Sequence, residues 1–289
     1  MSTRIAAGIP NAMQQHPVLS YFVLAYAISW FGAVLVVAPQ LLRHEPIPKL
    51  NGIVMFPVML LGPSTAGLIS TRLVGGRAGF SALLARMHSF PSRARWFLPL
   101  LIPPCLIAAV LLYMKTFVSA VFAPGTFMLG IAFGIPAGLL EEIGWTGFVF
   151  PKMCTNRSPF IASVWLGLLW GLWHLPAIDF LGTATPHGQY LLPYFIAFTA
   201  VIAAIRVLIG WIYLNSNSIP LAQMMHASST GALVMLSPPR VNAAQEVLWY
   251  CVYATALWLT VGLITVVFGR LLSISVAADR RSTGLLAIP

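Results

Sequence analysis

The sequence predicts an all-α, polytopic integral membrane helix bundle of about eight transmembrane helices, folded as a single membrane domain over 1–289. Three observations predict it. Of 289 residues, 59% are hydrophobic and 8% charged, against about 25% charged in soluble domains. The apolar runs are each about 20 residues long, the length a helix needs to cross the hydrocarbon core. The basic residues, finally, alternate between the two sides as an even number of crossings requires.

Taken in order, the expected spans are 19–41, 51–73, 97–120, 126–150, 160–180, 190–212, 219–237 and 247–269. The first follows Arg4, is too long for a signal-peptide core and has no A-x-A-type site behind it, so it reads as a retained helix. Between the second and third lies a basic segment, 74–96, that also carries Phe80, Leu83, Leu84 and Phe90. Such a mixture suits an anionic membrane surface. The ends, 1–15 and 272–289, read as short cytoplasmic tails. Trp96 and Tyr190 stand near span ends, where aromatic rings anchor helices at the interface.

With a cytoplasmic N-terminus, the inner side receives Arg4, Arg72, Arg77, Arg86, Arg93, Arg95, Lys152, Arg157, Arg270, Arg280 and Arg281. The outer side receives Arg43, Lys49 and Arg240, and Lys115 and Arg206 fall within spans. This is the positive-inside pattern, with both termini cytoplasmic. It also explains the net charge of +10 without nucleic acid. Cys105, Cys154 and Cys251 have no C-x-x-C spacing, which argues against a disulfide framework or a cysteine-rich zinc site.

Function is carried by rare polar residues inside apolar runs. The chain has six acidic residues, and two of them, Glu141 and Glu142, stand side by side in GIPAGLLEEIGWTGF. His174 lies in LGLLWGLWHLP and His226 in SIPLAQMMHASST. An ionisable group at membrane depth is costly unless it faces a bundle interior or a watery cavity. Gly130, Gly134 and Gly138 recur every four residues and lead along one face towards the glutamates, a ridge of small residues that admits a close helix partner. Gly167 and Gly171 repeat the device before His174, and Gln223, His226 and Thr230 share a face. Counted from the cytoplasmic ends at 1.5 Å per residue, Glu141 lies about 14 Å deep, His226 about 10 Å and His174 about 20 Å. His174 is the outlier by about a turn, and Pro176 offers a way to absorb it.

Carboxylates and imidazoles are groups that activate water. A carboxylate withdrawn from water is a better base, one histidine can orient the water or protonate a leaving amine, and another can donate to an oxyanion. Glu141, His174 and His226 would equally serve as zinc ligands, with water in the fourth position, although H-E-x-x-H spacing is absent. Two other readings use the same residues: polar groups satisfying one another in a scaffold, and a proton relay in an ion-coupled transporter. The second lacks the inverted repeats and broken helices expected of such carriers.

The segments EEIGWTGF, WGLWHLP and IGWIYLNSNSIPLAQMMHASS, in that order, resemble the CPBP family, the CAAX proteases and bacteriocin-processing enzymes also called Abi. HPVLSYFVLAYAISW and LGPSTAGLIS are similar to the family's opening spans. The resemblance implies a membrane-embedded endopeptidase, of glutamate or metalloprotease type, that cuts prenylated CAAX-type C-termini or leader peptides. Its partners would be membrane lipids and a peptide or lipidated protein. It implies that Glu141 activates water with His174, that His226 stabilises the oxyanion, and that Glu142 and Trp170 support the site. Zinc stays open, with a metal-free mechanism slightly preferred. Two positions depart from the motif: the arginine expected four residues after Glu142 is Thr146, and the asparagine four after His226 is Thr230. With Thr146 offering only a hydroxyl, Glu142 is left either protonated or paired with another span. The departures also favour a third reading, a non-proteolytic immunity or scaffold protein of the same fold.

Overall fold

A computed structural model describes residues 12–268 apart from 92 and 185. The expected tails therefore lie outside it except for 12–15, as do Arg4, residue 269 of the last span, Arg270, Arg280 and Arg281. Every expected apolar run is helical, and no strand occurs among the described residues. The helices are α1 (Pro17–Arg43), α2 (Lys49–Met87), α3 (Ile102–Phe117), α4 (Gly130–Gly144), α5 (Pro159–Trp173), α6 (Leu191–Ser216), α7 (Ile219–Leu236) and α8 (Ala243–Phe268). Among the described residues, five stretches are long and apolar enough to cross a membrane as single helices: Pro17–Arg43, Lys49–Met87, Ala94–Phe117, Gly188–Ser216 and Ala243–Val267.

The remaining helices, α4, α5 and α7, are the ones that carry the candidate-site glutamates and histidines, and the first two are shortened or interrupted. α4 passes into a π-helical turn (Trp145–Val149) and one more α turn (Phe150–Met153). α5 stops at Trp173 rather than at 180, and the chain goes on as a 3₁₀ segment, Leu175–Phe180. Pro176 is the cause: it has no N–H to donate, and its ring collides with the carbonyl four residues back. The basic segment 74–96 is divided. α2 bends at Gly76, whose φ of 62° suits glycine alone, and continues to Met87 before a 3₁₀ segment, Ala94–Leu101.

Capping fixes where α5 and α7 begin. Ser158 accepts from the Ile161 N–H and Ser218 from the Leu221 N–H, each with proline in the first turn. α6 ends at Asn217 in the left-handed conformation, so only Asn217 and Ser218 separate it from α7. The short link folds α7 back beside α6.

α6 is the axis of the bundle. From Val201 to Tyr213 every residue is buried, as expected of a helix that is apolar all round. α1 and α8 instead expose large apolar side chains such as Phe31, Leu42, Leu259 and Val266. α4 lies antiparallel to α7 through the predicted glycines: Gly130 meets Met235, Gly134 meets Gly231, and Gly138 meets Ala227. Gln223 Nε2 donates to the Leu139 carbonyl across this seam at 2.8 Å. Gly167 and Gly171 admit Ala203 and Thr199 of α6. These contacts bring α4, α5, α6 and α7 together around one point.

Beyond the far end of α5, residues 179, 183, 184 and 187 are tied to α8 and to one another by a polar cluster. His187 Nδ1 lies 2.8 Å from Asp179 Oδ1, and its Nε2 lies 3.6 Å from Glu246 Oε2 of α8. Glu246 also accepts the Thr183 and Ala184 N–H groups at 2.8 and 2.7 Å. The His187 ring stacks on Tyr194 at 3.9 Å. Burial opposes charge on this imidazole, but Glu246 and Asp179 outweigh it and raise its pKa above the ordinary histidine value. A raised folded pKa stabilises fully below the unfolded value of about 6.5 and ceases to do so as pH climbs through the folded one. The thermal midpoint of wild type minus that of His187→Gln is therefore expected to fall by roughly 2–4 °C between about pH 6 and pH 9, the shift that ~1 kcal/mol gives a chain of this order of size. A difference that is flat across the range contradicts a charged His187.

Candidate active site

The two glutamates sit in the last turn of α4 and are 2% and 0% exposed. Adjacent residues on a helix point about 100° apart, so the pair faces two different partners. Glu141 turns towards α5. Its Oε2 accepts two indole N–H groups, from Trp170 at 2.7 Å and from Trp145 at 3.0 Å. Its Oε1 takes neither indole and lies 4.0 Å from His226 Nε2.

Glu142 turns towards α6 and α7. Arg206 Nη1 donates to both of its oxygens, at 3.0 and 2.9 Å, and Arg206 Nη2 donates to Thr146 Oγ1 at 2.8 Å. The Thr146 hydroxyl in turn donates to Glu142 Oε2. His226 Nδ1 lies 2.9 Å from Glu142 Oε1. A buried carboxylate this well supplied is accounted for as an ion: one guanidinium nitrogen that reaches both oxygens, a hydroxyl and an imidazole surround it. The alternative left by Thr146 is thus resolved in favour of pairing with another span.

Both histidine tautomers follow from their acceptors. His174 is the residue that caps α5, and its Nδ1 lies 2.8 Å from the Trp170 carbonyl oxygen. A carbonyl can only accept, so Nδ1 carries the proton and Nε2 is left with its lone pair. By the same reasoning Nδ1 of His226 donates to Glu142, and Nε2 is the nitrogen turned to Glu141. The Trp170 ring lies 5.8 Å from the His174 ring and 4.8 Å from that of His226, centroid to centroid, and so packs against both imidazoles. Phe198 of α6 packs on His174 at 5.1 Å.

The structure therefore brings together Glu141, Glu142, Thr146, Trp170, His174 and His226. His174, the C-cap of α5, meets the group through the Trp170 ring, which also packs on His226. No hydrogen bond joins Glu141 to His174 among the described residues; Trp170 connects them. Thr230 is half-buried one turn beyond His226 and bonds to none of these groups. Gln223 is spent on the α4–α7 seam.

Zinc, if bound, would have to be held by Glu141, His174 and His226. Among the described residues no group of three histidine, cysteine or carboxylate side chains is placed to hold a metal. Each of these three residues keeps one donor atom outside the hydrogen bonds just described: Glu141 Oε1, His174 Nε2 and His226 Nε2.

Two contributors escaped the sequence reading. Trp145 was legible in principle, standing one turn after Glu141. Arg206 was visible as an arginine inside a span, the costliest place for one, but nothing local said which carboxylate it served. The π turn was not legible either. Its Gly147 carbonyl, which Pro151 four residues on cannot serve with an N–H, accepts from Arg86 Nη2 at 2.8 Å, and Arg86 Nη1 reaches the Tyr213 hydroxyl at 2.6 Å. π turns are frequent at functional sites.

Residues 123–232 match the family model described as Type II CAAX prenyl endopeptidase Rce1-like. A curated relative, CAAX prenyl protease 2 of Methanococcus maripaludis, is 32% identical over 111 residues, 37% of this chain and 39% of the relative. The chain thus matches well under half the length of that relative. Glu141, Glu142, His174, His226, Trp145, Thr146, Trp170, Arg206 and Thr230 all fall within 123–232, whereas Arg86 lies outside it. In that segment, this chain is similar to the Rce1-like type II CAAX prenyl endopeptidases, the resemblance its three motifs carry.

Proposed function

We propose that this protein is an intramembrane endopeptidase in which a glutamate-activated water hydrolyses a peptide bond at the membrane. The observation that carries the reading is the unshared oxygen of Glu141, Oε1, set 4.0 Å from His226 Nε2. A polar gap of that width suits a bridging water. Oε2 is fixed by Trp145 and Trp170, so the carboxylate cannot turn away.

In the reaction, the water oxygen attacks the scissile carbonyl carbon while Glu141, assisted by the His174 Nε2 lone pair, takes a water proton. The carbonyl oxygen becomes an oxyanion. His226 stabilises it through Nε2–H when its ring is protonated, and Glu142 balances that charge from the other nitrogen. Collapse breaks the C–N bond, and the proton held by Glu141 passes to the leaving amine. Water is consumed, and an acid and an amine are formed.

The family segment and the curated relative's name support a prenylated CAAX-type C-terminus as substrate, in preference to a leader peptide. The site would open to the cytoplasmic side, with the chain multi-pass and both termini cytoplasmic, as the basic residues indicate. Purified protein in detergent, offered a pool of prenylated C-terminal peptides and leader peptides, is expected to cleave the prenylated set. Cleavage confined to the leader set would overturn the substrate assignment.

A further inference from the structure

The ion pair behind the site is supplied from outside the glutamate helix. Arg206 is midway along α6, the most enclosed helix, and is itself 0% exposed. Its guanidinium grips both oxygens of Glu142 and also holds the Thr146 hydroxyl, while the Phe150 ring lies 5.8 Å beneath it. Glu142 Oε1, one of the two gripped oxygens, is the atom that meets His226 Nδ1. Four groups from three helices therefore form one chain: Arg206 (α6), Thr146 and Glu142 (α4 and its π turn), and His226 (α7). Nothing else among the described residues fixes the His226 Nδ1.

We propose that Arg206 is a positioning residue for the reaction: by fixing Glu142 from α6, it sets the rotation of His226 and hence the separation of His226 Nε2 from Glu141. The proposal rests on the hydrolytic reading of the site. Its distinguishing content is that the arginine's work depends on the carboxylate it holds, not on its place in α6. Thr146 lies one helical turn after Glu142 and already touches both partners, so an arginine presented from position 146 would reach the same carboxylate.

The exchange Thr146→Arg with Arg206→Thr tests this, since it conserves composition and total volume within one pocket. Arg206→Thr alone is expected to lower kcat by about 100-fold or more with little change in KM, because the lost interaction serves the reacting geometry and not peptide binding. Thr146→Arg alone, which crowds two guanidiniums on one carboxylate, is expected to be comparably impaired. The exchange is expected to recover kcat to within about tenfold of wild type, a non-additivity that only a direct coupling gives. Arg206→Lys keeps the charge but loses the second nitrogen that holds Thr146, and is expected to fall between wild type and Arg206→Thr.

Thermal midpoints of wild type and all four variants, measured alongside, separate failure of this proposal from failure of the hydrolytic reading. If wild type folds but does not cleave, the hydrolytic reading fails, and the coupling is judged on midpoints alone. Recovery of the midpoint in the exchange then supports the Arg206–Glu142 link. An exchange variant that folds, in a wild type that cleaves, yet stays as slow as Arg206→Thr overturns the proposal. So does Arg206→Thr with unaltered kcat.

Discussion

Replacing Glu141 by glutamine is expected to reduce peptide hydrolysis by about 10²–10⁴-fold, the range over which a positioned general acid–base group contributes. The effect is specific to proton transfer. Glutamine keeps the size of the side chain, and its carbonyl oxygen can still accept from Trp145 and Trp170, the two indoles that fix Oε2. What it loses is the ability to take a proton from water at Oε1 and return it to the amine. The folded yield and thermal midpoint are therefore expected to stay near wild type. Initial rates against prenylated peptide, normalised to folded protein, check this. A variant that retains a tenth or more of the wild-type rate would remove Glu141 from the chemistry.

The second large effect is on assembly. Gly134→Leu is expected to destroy the bundle, because a Cβ at 134 would fall on the Ala227 carbonyl oxygen and within 2.7 Å of the Gly231 nitrogen. Both obstacles are backbone, so no rotamer change relieves them. Overpacking a well-filled core usually costs ~1–3 kcal/mol. Here relief requires α4 to part from α7, and folded proteins have only about 5–15 kcal/mol in all. Parting those helices would also pull Glu142 from His226, which join across the same seam. Size-exclusion profiles in detergent are expected to show aggregate in place of the wild-type peak. A monodisperse, active Gly134→Leu protein would contradict the packing described for α4 and α7.

What was legible in the sequence was whatever depends on spacing along one helix. The 130–134–138 ridge needed only a period of four, and the structure seats α7 on it. The isolation of Glu141, Glu142, His174 and His226 in apolar runs needed only the cost of burying charge, and α4, α5 and α7 bring them to one place. What was not legible depends on contacts between distant segments. Arg206 lies 64 residues from Glu142, and their pairing is a property of the α4–α6 arrangement. The same holds for Asp179, His187 and Glu246, which are polar residues of ordinary appearance until α8 closes over the 175–190 segment. The departure at Thr146 read as a deficit because the motif places its cation on the glutamate helix. In three dimensions the cation comes from α6, and Thr146 links it to the carboxylate. Breaks in regular helix were also missed: hydropathy treats 126–150 and 160–180 as uniform runs, whereas the π turn and the stop before Pro176 depend on backbone geometry.

The central claim is that a water activated by Glu141 attacks the peptide carbonyl. The most direct test follows a prenylated CAAX-type peptide incubated in heavy-oxygen water with protein reconstituted in lipid nanodiscs, wild type beside Glu141→Gln, with products read by mass spectrometry. The predicted result is a cleaved peptide whose new carboxylate carries heavy oxygen in wild type, and intact peptide with the equally well-folded variant. Intact peptide from folded wild type, or labelled product formed equally well by Glu141→Gln, would contradict it.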